Sequence, residues 1–162
     1  MIFYKYHGAG NDFLVADGRS SRIDLTSDGI AALCDRHTGF GSDGVMILSE
    51  SEGHDFRMDY YNSDGSGGMM CGNGGRCIVA FAADLGFRSF DFEAPDGPHS
   101  AELLSGEAGP FSHEARIVRL KMKDVSSAAA YDNGPDREPD LFLDTGPAMR
   151  SGLSIMSMTL ML

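Results

Sequence analysis

Along most of the chain, short runs of apolar side chains alternate with clusters of glycine, asparagine and aspartate. Residues 2–7 and 13–17 read as strands on either side of a turn at Gly8, Ala9, Gly10 and Asn11, because Gly and Asn tolerate the positive φ of tight turns. In residues 27–37, Ile30, Leu33 and Cys34 fall at i, i+3 and i+4 after a cap at Thr26 or Ser27, and the run stops at Gly39. That spacing predicts a short amphipathic helix. Residues 45–48 and 56–61 are strand-like, the second setting Phe56, Met58 and Tyr60 on one face and Arg57, Asp59 and Tyr61 on the other.

After a turn at Asn62, Ser63, Asp64 and Gly65, residues 73–85 carry Ile78, Phe81, Ala82 and Leu85 at helical spacing, with apolar residues on most sides. A buried central helix is the expectation. Further strands are predicted at 89–93, 100–104, 116–122 and 141–144, separated by Gly, Pro and Asp. Many strands wrapped on few helices place the chain in the α+β class, and no internal repeat is visible.

Composition narrows the functions. A chain of 162 residues with 42% hydrophobic content suits one globular domain, or one domain and part of a second. The formal charge of -11 repels polyanions, so nucleic acid is not expected as a partner. Lys5, His7, Asn11 and Asp12 interrupt any secretory apolar run near Met1, and no stretch approaches the ~18 apolar residues of a membrane span. A cytoplasmic protein without a membrane partner is the expectation. Cys34, Cys71 and Cys77 lack the paired spacings of a zinc or CxxC redox site, so they read as reduced thiols with no metal.

The stretch Met70, Cys71, Gly72, Asn73, Gly74, Gly75, Arg76, Cys77 stands at the start of the predicted central helix. A thiol there meets unpaired backbone N–H groups and the positive end of the helix dipole, both of which favour the thiolate. The same amides, on Gly72, Asn73 and the residues after them, can bind a carboxylate arriving beside the sulfur. Such a base and clamp suit abstraction of a proton from the carbon next to a carboxylate, because the clamp stabilises charge developing on its oxygens. Acyl transfer is the competing chemistry. It needs a histidine partner oriented by a third group, and His7, His37, His54, His99 and His113 carry no local signature of one. Cys77, next to Ile78 in the apolar helix, and Cys34 read as inert core thiols.

Two glycine-rich stretches are decoys. Residues 39–44 match GxGxxG, but they follow a predicted helix and precede a strand, the reverse of the dinucleotide-binding order. Residues 60–71 put Tyr60 and Cys71 where a calcium loop needs carboxylates.

Three segments together, KYHGAGNDF at 5–13, CDRHTGFGSDG at 34–44, and NSDGS at 62–66 leading to MCGNGGRC at 70–77, resemble the diaminopimelate epimerase family in order and spacing, and the likeness runs from residue 2 to about Gly146. The resemblance implies interconversion of LL- and meso-diaminopimelate, in lysine and peptidoglycan synthesis, without pyridoxal phosphate or other cofactor. One cysteine takes the α-proton as thiolate, and a second delivers a proton to the opposite face as thiol. It implies that Cys71 is one of that pair, that Gly72 and Asn73 lie at the substrate carboxylate, and that Asn11 and Asn62 hold the substrate. The residues alone read Asn11 and Asn62 as turn asparagines.

The resemblance also implies two similar lobes, each a mostly antiparallel sheet or barrel around a central helix, with substrate between them. Residues 1–114 are expected to form the first lobe and 115–146 to begin the second. The family's second cysteine, its Glu–Arg pair and the strand that closes the first lobe fall in the part expected to be missing. After Gly146 the likeness breaks off into Pro147, Ala148, Met149 and a Met-rich run, read here as a frameshifted tail over 147–162. Impaired catalysis by this chain alone is the expectation. Competing readings are a non-catalytic lobe that binds ligand or forms a homodimer, since it would expose apolar surface and open strand edges, and a proline or hydroxyproline racemase relative, whose family carries His where Asn73 stands.

Overall fold

The computed structural model describes residues 1–20, 23–106 and 115–122, and the backbone of strands at 127–131, 140–144 and 154–160. In chain order the elements are β1 (Tyr4–Gly8), β2 (Asn11–Asp17), α1 (Ser27–Cys34), β3 (Gly44–Ser49), β4 (Phe56–Asn62), α2 (Gly72–Asp84), β5 (Asp91–Ala94), β6 (Gly97–Ser105), β7 (Arg116–Lys121), β8 (Ser127–Tyr131), β9 (Asp140–Asp144) and β10 (Ser154–Leu160). Thr26 caps α1, its side chain accepting the Gly29 N–H at 3.1 Å.

Strands close a barrel in the order β1, β10, β7, β6, β5, β4, β3, β2, while β8 and β9 form a separate two-stranded sheet. Barrel neighbours are antiparallel except β2 with β3 and β4 with β5. Those two parallel pairs follow from connections through a helix, since a tight hairpin cannot join parallel strands. The first crossover, α1, packs Ile30 and Cys34 against Leu14 of β2 and Val45 of β3. Alternate residues on the same strands, Phe13, Val15 and Met46, face the main core. Burial on both faces explains why 13–16 and 45–48 are unbroken apolar runs.

The second crossover, α2, belongs to the main core, where Tyr6, Phe13, Met46, Phe56, Phe92, Val118 and Leu120 pack with Ile78, Val79 and Phe81 of the helix. Every residue from Gly74 to Asp84 is buried. An eight-stranded barrel has an interior wide enough only for packed side chains, so a helix belongs there only if much of it is slim. Gly74, Gly75, Ala80, Ala82 and Ala83 supply that slimness. A methyl group added at Gly75 would sit 2.6 Å from the Leu120 side chain.

Two expectations change. Residues 116–121, expected to open a second lobe, pair with β6 inside this barrel, Leu120 opposite Ala101. The expectation that the lobe lacks its closing strand is overturned, because Ser154–Leu160 lies between β1 and β7, with Met158 opposite Tyr6 and Met156 opposite both Gly8 and Arg116. Without it, β1 and β7 would each present a row of unpaired backbone groups. The segment Ile155, Met156, Ser157, Met158, Thr159, Leu160 interleaves apolar and hydroxyl residues as a strand does.

The far end of α2 is fixed by a buried polar triad. Arg116 is 2% exposed; its Nη2 donates to Asp84 Oδ1 at 2.5 Å and its Nη1 to the Ala80 carbonyl at 2.9 Å. The Tyr6 hydroxyl donates to Asp84 Oδ2 at 2.6 Å. Burial, reinforced by the Asp84 carboxylate, pushes the Tyr6 phenol far above its ordinary range, so it remains a neutral donor. Removing one partner of a buried ion pair leaves an uncompensated charge. Asp84→Ala is therefore expected to destabilise the chain by about 3–5 kcal/mol in urea unfolding followed by circular dichroism. Asp84→Leu combined with Arg116→Met should recover most of that loss, and additive losses in the double variant would contradict the pairing.

Candidate active site

The central helix begins one residue earlier than its periodicity predicts, which makes Cys71 its N-cap. Cys71 is extended at φ -115° and ψ 150°, its Sγ accepts the Gly74 N–H at 3.2 Å, and its carbonyl accepts the Gly75 N–H at 2.8 Å. The amides of Gly72 and Asn73 precede the first intrahelical bond. Sulfur and unpaired amides thus share one helix end, as the glycine pattern predicts. Cys71, Gly72 and Asn73 are all half-buried, whereas the helix behind them is enclosed.

A directed chain of hydrogen bonds runs away from this end. Arg76 Nη2 donates to Asn73 Oδ1, Asn73 Nδ2 to Asn11 Oδ1 at 2.7 Å, and Asn11 Nδ2 to Asp43 Oδ2 at 2.9 Å. The same Asp43 oxygen accepts the Asp12 N–H at 3.1 Å. Arg36 then joins Asp43 Oδ1 at 2.8 Å to Asp12 Oδ1 at 2.6 Å, and Lys5 meets Asp12 Oδ2 at 2.7 Å. Parallel pairing of β2 with β3 creates this cluster: it sets Phe13 opposite Gly44, brings the two strand starts together, and lets the Asp43 N–H reach the Asp12 carbonyl at 2.8 Å.

Asn62 lies at the same barrel end, opposite Gly44, but its side chain is not joined to the chain of amides. Its Nδ2 donates to Ser66 Oγ at 3.0 Å, its backbone N–H to the Ser66 carbonyl, and its own carbonyl accepts the Gly65 N–H. The turn-forming bonds that the residues alone predict are present there.

Electrostatics separates the thiols. Burial pushes Cys77 far up, and the neighbouring Cys71 sulfur adds to the effect. Burial also pushes Cys34 up, against a hydrogen bond from Ser42 Oγ at 3.1 Å. Tyr60, near Cys71, is raised to about 12, by burial first and then by the Cys71 sulfur and the Asp43 carboxylate. Burial also works to raise Asp12, yet the hydrogen bonds from Arg36 and Lys5 outweigh it and hold the carboxyl at about 2. Arg76 is lowered by burial.

The hydrolase alternative finds no support. Among the described residues no histidine bonds Cys71: His54 meets Asp91 at 3.1 Å, and His99 is held between Asp96 and the Lys121 carbonyl. His113 lies outside the described residues. A cavity of about 460 Å³ lined by Arg19, Ile47, Ser49, Arg57 and Asp59 is not lined by Cys71. Sequence reasoning missed Asp43, Arg36 and Lys5, since the contact of Asp43 with Asn11 and those of Arg36 and Lys5 with Asp12 depend on strand pairing. Arg76 was findable, because it stands at i+3 from Asn73 on one helix.

Comparison with known proteins agrees with this geometry. Residues 3–109 match the family model of diaminopimelate epimerase. The chain is 48% identical over 120 residues to the diaminopimelate epimerase of Chlorobaculum tepidum, a match covering 71% of this chain and 43% of that protein. It is 41% identical over 149 residues to that of Flavobacterium psychrophilum, covering 90% of this chain and 52% of that protein. The chain thus spans about half the length of these curated relatives. Two solved structures share the fold at low identity. A PhzF-family phenazine biosynthesis protein of Bacillus anthracis has a TM-score of 0.57 at 16% identity, over 80% of this chain and 42% of that one. A methylitaconate-delta-isomerase has 0.58 at 12%, over 100% of this chain and 93% of that one. With a family match over more than half its length and a helix-capping thiol beside paired asparagines, the chain belongs to the diaminopimelate epimerase family.

Proposed function

We propose that this chain supplies one wall of a cofactor-independent epimerase site acting on diaminopimelate, with Cys71 as the acid/base for one face of the α-carbon. The observation that carries the reading is the placement of a half-buried sulfur at the N-cap of α2, two residues from an asparagine bonded to Asn11. As thiolate, Cys71 accepts the α-proton while the amides of Gly72 and Asn73 receive the carboxylate whose oxygens gain charge. Asn11 and Asn62, at the same barrel end, serve the rest of the substrate. No metal or organic cofactor has a part in this scheme.

Inversion needs a second acid on the opposite face. Cys34 is enclosed between α1 and the β2–β3 pair and Cys77 lies in the main core, so neither of them reaches a substrate to supply it. The second acid comes from a facing lobe, in the arrangement that the resemblance implies. The reading places the protein in the cytoplasm. No helix among the described residues is long and apolar enough to cross a membrane. Exposed Phe40 and Met69, at 49% and 68%, lie on the segments that lead to Asp43 and Cys71, and a facing lobe or a second copy of the chain would cover them.

Two measurements test this reading. Iodoacetamide at pH 8 is expected to label Cys71 roughly tenfold or more ahead of Cys34 and Cys77, because only the thiolate of an accessible cysteine reacts. Peptide mass mapping reads the order, and preferential labelling of Cys77 would overturn the assignment of the base. Incubated with diaminopimelate in D₂O, the chain alone should interconvert the LL and meso forms far more slowly than a full-length relative, and Cys71→Ala should abolish any α-hydrogen exchange. Exchange that survives Cys71→Ala would show that another group takes the proton.

A further inference from the structure

Asn11 and Asn73 are amides that can each present either an oxygen or an N–H toward the cleft, and the choice decides whether the site receives an acid or a base. Their hydrogen-bond chain ends in groups without that ambiguity. Arg76, at one end, is a donor only, and Asp43, at the other, is an acceptor only. Arg76 therefore forces Asn73 to turn its oxygen inward, which leaves the Asn73 Nδ2 to donate to Asn11 Oδ1, and leaves the Asn11 Nδ2 to donate to Asp43. Reversing either amide would set donor against donor or acceptor against acceptor at a terminus. Asp43 is held in place by Arg36, which also grips Asp12.

We infer that Arg76 and Asp43 are positioning residues that fix the polarity of the Asn11–Asn73 pair, so that each amide keeps its second N–H, with no acceptor among the described residues, for an anionic group of the substrate. The consequence is selectivity for a carboxylate at this corner of the site. This deepens the proposed reading and rests on it for the identity of the substrate. Neither positioning residue needs to touch the substrate. Arg76 is 6% exposed behind Asn73, and Asp43 reaches the pair from the loop before β3.

The test uses the ¹⁵N-labelled 162-residue chain and the side-chain amide resonances of Asn11 and Asn73, assigned with Asn11→Ser and Asn73→Ser. Asp43→Asn makes one terminus both donor and acceptor, and it is expected to shift the Asn73 amide, which Asp43 does not contact. Arg76→Met is expected to shift Asn11 in the same remote manner, whereas Arg76→Lys, still a donor only, should leave Asn11 near its original position. If each substitution moves only the amide it touches, the relay is overturned. Asp43 has a side chain 35% exposed, so its variant decides the matter even where Arg76→Met does not fold. Titration with diaminopimelate should show binding weakened roughly tenfold in Asp43→Asn, the scale of one charged hydrogen bond. Unchanged affinity in that variant overturns the positioning role. Coupled amide shifts in a chain that binds no diaminopimelate would sustain the relay and sink the substrate assignment instead.

Discussion

A helix surrounded by strands cannot turn the first amides and last carbonyls of its backbone to water, and leaving such groups unsatisfied in a dry interior costs several kilocalories per mole. In this lobe α2 is buried from Gly74 to its last residue, so both ends need protein partners. At the C-terminal end the Phe81, Ala82 and Ala83 carbonyls accept the N–H groups of Leu85, Phe87 and Gly86, while Arg116 and Tyr6 hold the Asp84 carboxylate. At the N-terminal end the Cys71 sulfur takes the Gly74 amide, while the amides of Gly72 and Asn73 remain at the half-buried rim. The proposed chemistry therefore sits where the enclosing barrel leaves the helix open.

The same constraint explains the composition of the central segment. Glycines and alanines slim the helix so that strands can close around it. A methyl group at Gly75 would meet Leu120 of β7 at 2.6 Å, the strand that also carries Arg116. Small residues in the first turn serve the enclosing barrel and, in the proposed reading, an arriving carboxylate alike, so residue type alone does not separate the two demands at Gly72 to Gly75.

Among the described residues, two charged clusters bear on the two ends of the central helix. The buried triad at the far end is isolated from solvent and holds the helix in one position. The cluster at the rim, formed by Lys5, Asp12, Arg36 and Asp43, is more exposed. It ties the start of β2 to the loop before β3 and presents one carboxylate to Asn11 of the asparagine pair. Surface pairs of this kind contribute little stability individually, so their value lies in orientation.

Among the described residues, the sequence by itself determined the two helices, eight of the ten strands to within a few residues, the thiol at a helix start and the glycines that bare its amides. Those features depend on periodicity and cap chemistry within a few neighbouring residues, which is why Thr26, Cys71 and the alternation in β4 were legible. Only the tertiary structure decided that Ser154–Leu160 closes the barrel, that Arg116 is buried inside it, and that Asp43 ends a chain of amides begun at Arg76. The partners in these contacts are 32 residues apart for Asn11 with Asp43 and 78 for Tyr6 with Asp84. No local pattern encodes such meetings: they exist because strand edges must be paired and buried charges neutralised once the chain has closed on itself.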